Sequence, residues 1–274
     1  MPPKVIVIHK NKGQTPLECI EVLQNEHSYW AGIPMTYAGR LDPLACGVLL
    51  VLTGEECKKK EEYTALSKEY EVEVLFGFET DTYDVMGKVE FPPLLIEEGV
   101  GGGGQENNTP PRPSATPPPQ GGDLKSNLAL VLENFTGKFI QKYPPYSSRT
   151  VAGKPLYQWA REGRLGEIEM PSHEVSVESI GVLGVSKISG EQLLNRIKDD
   201  ISKVKGDFRQ EDIVILWEKT LEDKKEEEYD VVKLRISCSG GFYVRQMAHD
   251  LGGVLGTGTL ALNIVRTKVG EYMC

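Results

Sequence analysis

Ala38-Gly39-Arg40-Leu41-Asp42-Pro43-Leu44-Ala45-Cys46-Gly47, running into Val48-Leu49-Leu50-Val51-Leu52, is the stretch that organises the rest of this 274-residue chain. Pro43 fixes its own φ and drives Asp42 toward an extended conformation, while Gly39 and Gly47 leave the backbone free on either side. The apolar run that follows reads as a buried strand. A carboxylate is thus placed in a short rigid turn at the mouth of that strand. There it is poorly solvated, a setting in which a shifted pKa or a covalent role becomes available. An isolated Asp-Pro is an ordinary turn element, so the reading depends on what surrounds it.

Outward from this turn, three further segments carry information. Ser67-Lys68-Glu69-Tyr70-Glu71-Val72-Glu73-Val74 alternates as a strand and leads to Thr80-Asp81-Thr82-Tyr83-Asp84-Val85-Met86-Gly87. Tyr143-Pro144-Pro145-Tyr146-Ser147-Ser148-Arg149 is followed by Gly153-Lys154-Pro155-Leu156-Tyr157 and a short helix through Arg161-Glu162-Gly163. Ile236-Ser237-Cys238-Ser239-Gly240-Gly241-Phe242-Tyr243-Val244-Arg245 precedes Asp250-Leu251-Gly252 and Val265-Arg266-Thr267-Lys268-Val269-Gly270.

These four segments, in this order, resemble the TruB family of pseudouridine synthases, the tRNA pseudouridine(55) synthases. The ten residues around Asp42 resemble the family's nucleophile motif. The resemblance implies an α+β chain with the pseudouridine synthase fold: a mixed, mainly antiparallel central β-sheet flanked by helices and loops, with the active-site cleft across the sheet. It implies isomerisation of uridine to pseudouridine in the T-loop of tRNA, at position 55, by an aspartate nucleophile acting on a flipped base, with neither cofactor nor metal. Asp42 matches the nucleophile, Arg245 the arginine that pairs with it, and Tyr70 the tyrosine that packs on the target base. Arg40 is a rival partner for Asp42, since related pseudouridine synthases carry an arginine two residues before the aspartate.

Tyr243 and Ile264 align with positions lining the uridine pocket. Lys68, Lys12, Arg149, Lys154 and Arg266 are expected to meet RNA, Lys68 as an exposed lysine on phosphate. The family's G-H-x-G becomes Thr36-Tyr37-Ala38-Gly39 here, and Tyr37 could stack where the histidine would. The family pattern K-P-x-G-x-T-S survives only in part, in Lys10-Asn11-Lys12-Gly13-Gln14-Thr15-Pro16. Many relatives continue into a PUA-type RNA-binding domain, whereas the resemblance here ends at Val269-Gly270-Glu271-Tyr272. That implies a catalytic domain without the C-terminal one.

A net charge of −9 is unusual for an RNA binder. Its distribution answers the objection. Residues 133–166 hold six cations against two anions, and residues 231–274 five against two, so both matching regions are positive. A basic face on an acidic body is expected, with binding that weakens steeply in salt. No apolar run approaches a membrane span and the start lacks a signal peptide's apolar segment, so a cytoplasmic protein is expected; a monomer is expected as well. Five widely spaced cysteines without a C-x-x-C pair suit reduced thiols, and four scattered histidines offer no metal-ligand spacing.

The pattern predicts one catalytic domain over 1–274. Within it, a first strand covers Val5 to Ile8, a helix follows from Leu17 to Glu26, and an amphipathic helix runs from Leu124 to Phe135. Residues 97–122, rich in Gly and Pro, read as a disordered insertion. Residues 187–228 read as an enlarged insertion with a helix over Glu191 to Val204 and a strand over Ile213 to Trp217. An RNA-binding or RNA-folding protein that has lost catalysis, or one aimed at another RNA, is the alternative function. The presence of Asp42, Tyr70 and Arg245 together disfavours loss of catalysis. A glycoside hydrolase would need a second acid paired with Asp42, and Asp81 and Asp84 suit a turn better.

Overall fold

The computed structural model describes residues 3–26, 28–90 and 124–274; the expected insertion at 97–122 lies outside them. In chain order the elements are β1 (Val5–Lys10), α1 (Pro16–Glu26), β2 (Met35–Ala38), β3 (Cys46–Thr53), α2 (Lys60–Ala65), β4 (Lys68–Phe76), the short pair β5 (Glu79–Thr80) and β6 (Val89–Glu90), α3 (Leu124–Glu133) and β7 (Gly137–Lys142). There follow the pair β8 (Thr150–Val151) and β9 (Lys154–Pro155), then α4 (Leu156–Arg161), β10 (Ser172–Ser189), α5 (Gly190–Ser202), α6 (Gln210–Leu221), β11 (Glu228–Cys238), α7 (Val244–Leu255), β12 (Thr259–Val269) and β13 (Tyr272–Met273). Pro16 opens α1, where its missing N–H costs nothing. None of the described helices is long and apolar enough to cross a membrane.

The main sheet has the order β1-β3-β12-β4-β11-β10-β7, with β2 added to β3 and β13 to β12. Its pairings are antiparallel except β12 with β3, which run parallel at Val265–Cys46 and Arg266–Gly47. The expected mixed, mainly antiparallel α+β architecture is therefore what the chain forms.

β4 shows how the pattern builds the layers. Tyr70, Val72 and Val74 alternate onto one face, where they meet Leu234 and Ile236 of β11, Leu128 and Leu132 of α3, and Met247 and Leu251 of α7. Glu69, Glu71 and Glu73 occupy the other face of the first half. Beyond them Leu75 is buried on that second face, under Ile197, Ile213 and Trp217. The insertion is thus a cover for the far side of the sheet.

The insertion corrects one sequence expectation. Ile213 to Trp217 is no strand but the middle of α6. The β-branched run suggested extended chain, yet Ile213, Trp217, Thr220 and Leu221 are the buried residues, at helical spacing. Burial of that stripe against α5 overrides the local preference. The helix expected at Glu191 to Val204 is α5, entered through a capping box between Ser189 and Gln192.

Candidate active site

The turn that carries Asp42 lies between β2 and β3. Asp42 O accepts from Ala45 N at 3.1 Å, which closes the turn over Pro43. Two buried cations grip this loop by its carbonyls. Lys10 Nζ donates to Ala45 O at 2.6 Å, Pro43 O at 3.1 Å and Asn11 O at 3.2 Å. Arg266 donates from Nε to Val48 O at 2.7 Å, from Nη2 to Gly39 O at 3.1 Å and from Nη1 to Arg40 O at 3.5 Å. Gly47 is required where β3 enters: its φ is 106°, and a Cβ there would stand 2.2 Å from Arg266 O. The loop is held on both sides before any ligand arrives.

Arg245 faces Asp42 from the first turn of α7, its Nε donating to Asp42 Oδ2 at 2.8 Å. Its Nη1 donates to Thr82 O at 2.5 Å and its Nη2 to Tyr146 O at 3.4 Å, while Asp84 Oδ2 lies 3.5 Å from Nε. Tyr243 caps the start of this helix and Val244 and Arg245 open it. Gln141, buried in β7, fixes that start by accepting from Tyr243 N at 2.8 Å and donating to Tyr243 O at 3.0 Å. The Arg245 side chain is 4% exposed and that of Asp42 36%. The guanidinium is therefore enclosed, while the carboxylate keeps an open flank. Burial opposes the Arg245 charge, but Asp42 and Asp84 hold it in place and push the arginine pKa above its ordinary value. Burial raises the Asp84 pKa, with Arg245 and the Thr82 hydroxyl pulling the other way.

Tyr70 lies buried on β4, paired across the ladder with Ile236 on one side and Arg266 on the other. Burial raises its phenol pKa. Asp42, Tyr70, Tyr243, Ile264, Arg245 and the exposed Arg40 all line one cleft of about 610 Å³. That volume suits a nucleoside-sized ligand. Its far wall comes from Tyr146 and, unexpectedly, from Phe208 and Arg209 of the insertion.

Other expected RNA contacts are placed differently. Lys68 is buried, its ammonium donating to the carbonyls of Thr64 and Leu66; it is not the exposed lysine expected to meet phosphate. Arg266 is likewise buried and holds the Asp42 loop by its carbonyls, and both residues also line the cleft. Both lie on inward-facing positions of strands whose alternation would normally place an apolar residue there. Tyr37 does not line the cleft; Lys60 Nζ sits 5.0 Å from its ring centroid. Lys12 is bound to Asp200 at 2.6 Å, and Lys154 to Glu162 at 2.5 Å, with Trp159 beneath it. Arg149 remains exposed, 5.3 Å from the centroid of Tyr143. Arg40 does not displace Arg245 as the partner of Asp42. Sequence reasoning missed Asp84 as the second carboxylate on Arg245, although the Thr-Asp-Thr-x-Asp spacing was visible. Arg209 had no such signal, because it lies outside every matched segment.

Comparison with solved structures places the fold. The chain superimposes on a chain of a Cbf5–Nop10–Gar1 complex with a TM-score of 0.54 and 16% identity, over 98% of this chain and 49% of that one. An H/ACA ribonucleoprotein bound to a substrate RNA containing 2′-deoxyuridine gives 0.50 at 16% identity, over 98% and 48%. The model of the TruB family pseudouridylate synthase N-terminal domain matches residues 34–95 and 122–206, more than half of the chain. The chain belongs to the TruB family.

Among its relatives, the tRNA pseudouridine synthase B of Fusobacterium nucleatum is 28% identical over 98% of this chain and 68% of its own length. The protein of the same name from Bifidobacterium longum subsp. infantis is 27% identical over 99% and 64%. That of Aquifex aeolicus is 27% identical over 97% and 68%. The chain spans about two thirds of the length of these relatives.

Proposed function

We propose that this chain isomerises uridine to pseudouridine in tRNA, at position 55 of the T-loop, with Asp42 as nucleophile. The observation that carries the reading is the Asp42–Arg245 pair: an enclosed guanidinium holds one oxygen of a carboxylate whose other flank opens into a nucleoside-sized cleft. The name shared by the relatives supports the substrate class.

The reaction breaks the N1–C1′ bond of uridine, turns the uracil and joins C5 to C1′. The C5 proton leaves and N1 gains one, so nothing is consumed. A carboxylate can divide this into two steps by bonding to the sugar or by removing a sugar proton to give a glycal. In either route Asp42 must enter ionised, and the Arg245 guanidinium holds its carboxylate by a charge-assisted hydrogen bond. Tyr70 offers the flat face against which a flipped base stacks. Flipping costs a few kcal/mol, and base–aromatic stacking returns about 1–3 kcal/mol. With its pKa raised, the Tyr70 phenol enters neutral; it can give its proton to N1, and the phenolate so formed can take the proton that C5 loses. Tyr243 and Ile264 bound the base, and the exposed Arg40 and Arg149 are available to phosphate.

The test is pseudouridine mapping on unmodified tRNA incubated with the purified protein, beside Asp42→Ala. Modification of the T-loop uridine by the wild type alone supports the reading. Unmodified tRNA that is nonetheless bound would point to a binding protein or to another RNA.

A further inference from the structure

The insertion between β10 and β11 could be no more than a cover for Leu75, but its connecting loop reaches the cleft. That loop is stiff. Gln210 donates to Gly206 O at 2.7 Å and Val204 O at 3.1 Å and accepts from Phe208 N at 2.8 Å. Arg209 adopts the left-handed region, with φ 64° and ψ 28°, a conformation non-glycine residues rarely take. Three segments around the cleft are tied to the insertion. Lys12 meets Asp200 at 2.6 Å, Arg161 Nη2 donates to Asp207 O at 2.6 Å, and Arg209 grips Asp81 with Nη1 at 2.7 Å and Nη2 at 3.3 Å. Gly13 lies so close to the insertion that a Cβ would stand 2.2 Å from Lys203 O, while its N–H donates to Pro43 O at 2.9 Å beside the nucleophile.

The Arg209 contact leads directly to the reacting pair. Asp81 also accepts from Tyr146 Oη at 2.9 Å, and the Arg209 guanidinium lies 4.6 Å from the centroid of the Tyr146 ring. Tyr146 O and Thr82 O, the latter one residue beyond Asp81, are the two carbonyls that receive Arg245. The Arg209–Asp81–Tyr146 cluster therefore sets the acceptors that aim Arg245 at Asp42. We propose that Arg209 is a positioning residue for the Asp42–Arg245 pair, making the α5–α6 insertion a working wall of the active site. The kinetic part of this proposal rests on the isomerase reading above; the geometric part does not.

The experiment compares wild type, Arg209→Ala, Arg209→Lys, Asp81→Asn and the double variant by single-turnover isomerisation at saturating tRNA. Equilibrium tRNA binding and the NMR resonance of the Arg245 Nε–H, assigned with Arg245→Lys, are measured alongside. Arg209→Ala is expected to slow turnover about 10- to 100-fold with tRNA affinity unchanged, since small misplacements near reacting atoms cost that much. It is also expected to shift the Arg245 Nε–H or weaken its protection from exchange. Arg209→Lys restores part of the rate, and the double variant is no slower than the worse single one, because both break one contact. A folded Arg209→Ala protein with wild-type rate and an unmoved Nε–H overturns the proposal. So does a rate loss explained by weakened tRNA binding with the Nε–H unmoved. A wild type that leaves tRNA unmodified, while the Nε–H still responds to Arg209→Ala, overturns the isomerase reading and retains the positioning role.

Discussion

Arg245 and Asp42 are 203 positions apart in the chain, yet Nε of one donates to Oδ2 of the other at 2.8 Å, and the remaining nitrogens of the guanidinium are held by Thr82 and Tyr146 carbonyls. A lysine keeps the charge but cannot serve these acceptors with a rigid fork. Arg245→Lys is expected to lower the isomerisation rate about 10²- to 10³-fold, the scale of removing one preorganised electrostatic contact. tRNA binding should persist. Single-turnover rates beside filter-binding affinities check this, and a rate within threefold of wild type would remove Arg245 from the mechanism.

Arg266 is expected to affect stability first. Arg266→Met fits the same buried space but leaves the carbonyls of Val48 and Gly39 without donors. At about 1–3 kcal/mol for each unsatisfied group, the loss is about 2–6 kcal/mol. Thermal and urea melts measure it directly. Alanine at the exposed Arg149 serves as the comparison and should leave stability within about 0.5 kcal/mol.

Salt dependence separates the cations that face RNA from those that do not. Arg149→Ala should reduce the slope of log binding constant against log salt concentration by about 0.7–0.9, one phosphate contact's worth. Lys68→Met should leave the slope unchanged, because the Lys68 ammonium is turned inward to the Thr64 and Leu66 carbonyls. Equal slope changes for the two variants would contradict this placement.

Alkaline stability should also reveal the buried lysines. Burial lowers the pKa of Lys10 and of Lys68 to about 8, from 10.5. Between those values the unfolded chain holds these protons while the folded protein has released them, so stability rises with pH across that window. The Cys238 thiol, pushed up from 9.0 to about 12 by burial, opposes this trend above pH 9, and Tyr63, Tyr146 and Tyr243, raised to about 12, oppose it above pH 10. The lysine contribution is therefore read by difference: in urea unfolding between pH 8 and 10, Lys68→Met should gain less stability with pH, or lose more, than the wild type.

Much of the fold was legible because the strands alternate and the motif segments resemble a family in order. The strand of Val48 to Leu52 and the helix opened by Pro16 follow from local pattern, and the mixed sheet follows from the family resemblance. Ile213 to Trp217 was misread because a β-branched apolar run has the same composition whether it is strand or buried helix, and only the packing against α5 distinguishes them. The burial of Lys68 was missed for a related reason. A cation in a strand suggests a surface, and nothing local reveals that the carbonyls of another segment will enclose it.

The sequence by itself determined that a rigid Asp-Pro turn opens a buried strand, that an aromatic strand and a Tyr-Val-Arg segment accompany it, and that the chain resembles one family. It determined these because turn chemistry, alternation and motif order are properties of neighbouring residues. The tertiary structure alone decided that Arg245 and not Arg40 takes Asp42, that Asp84 shares the same guanidinium, that Lys10 and Arg266 hold the loop by its carbonyls, and that Arg209 reaches the cleft. Each of those depends on groups far apart in the chain, whose pairing is set by the burial of charge against whichever acceptors the packed sheet brings within hydrogen-bond distance.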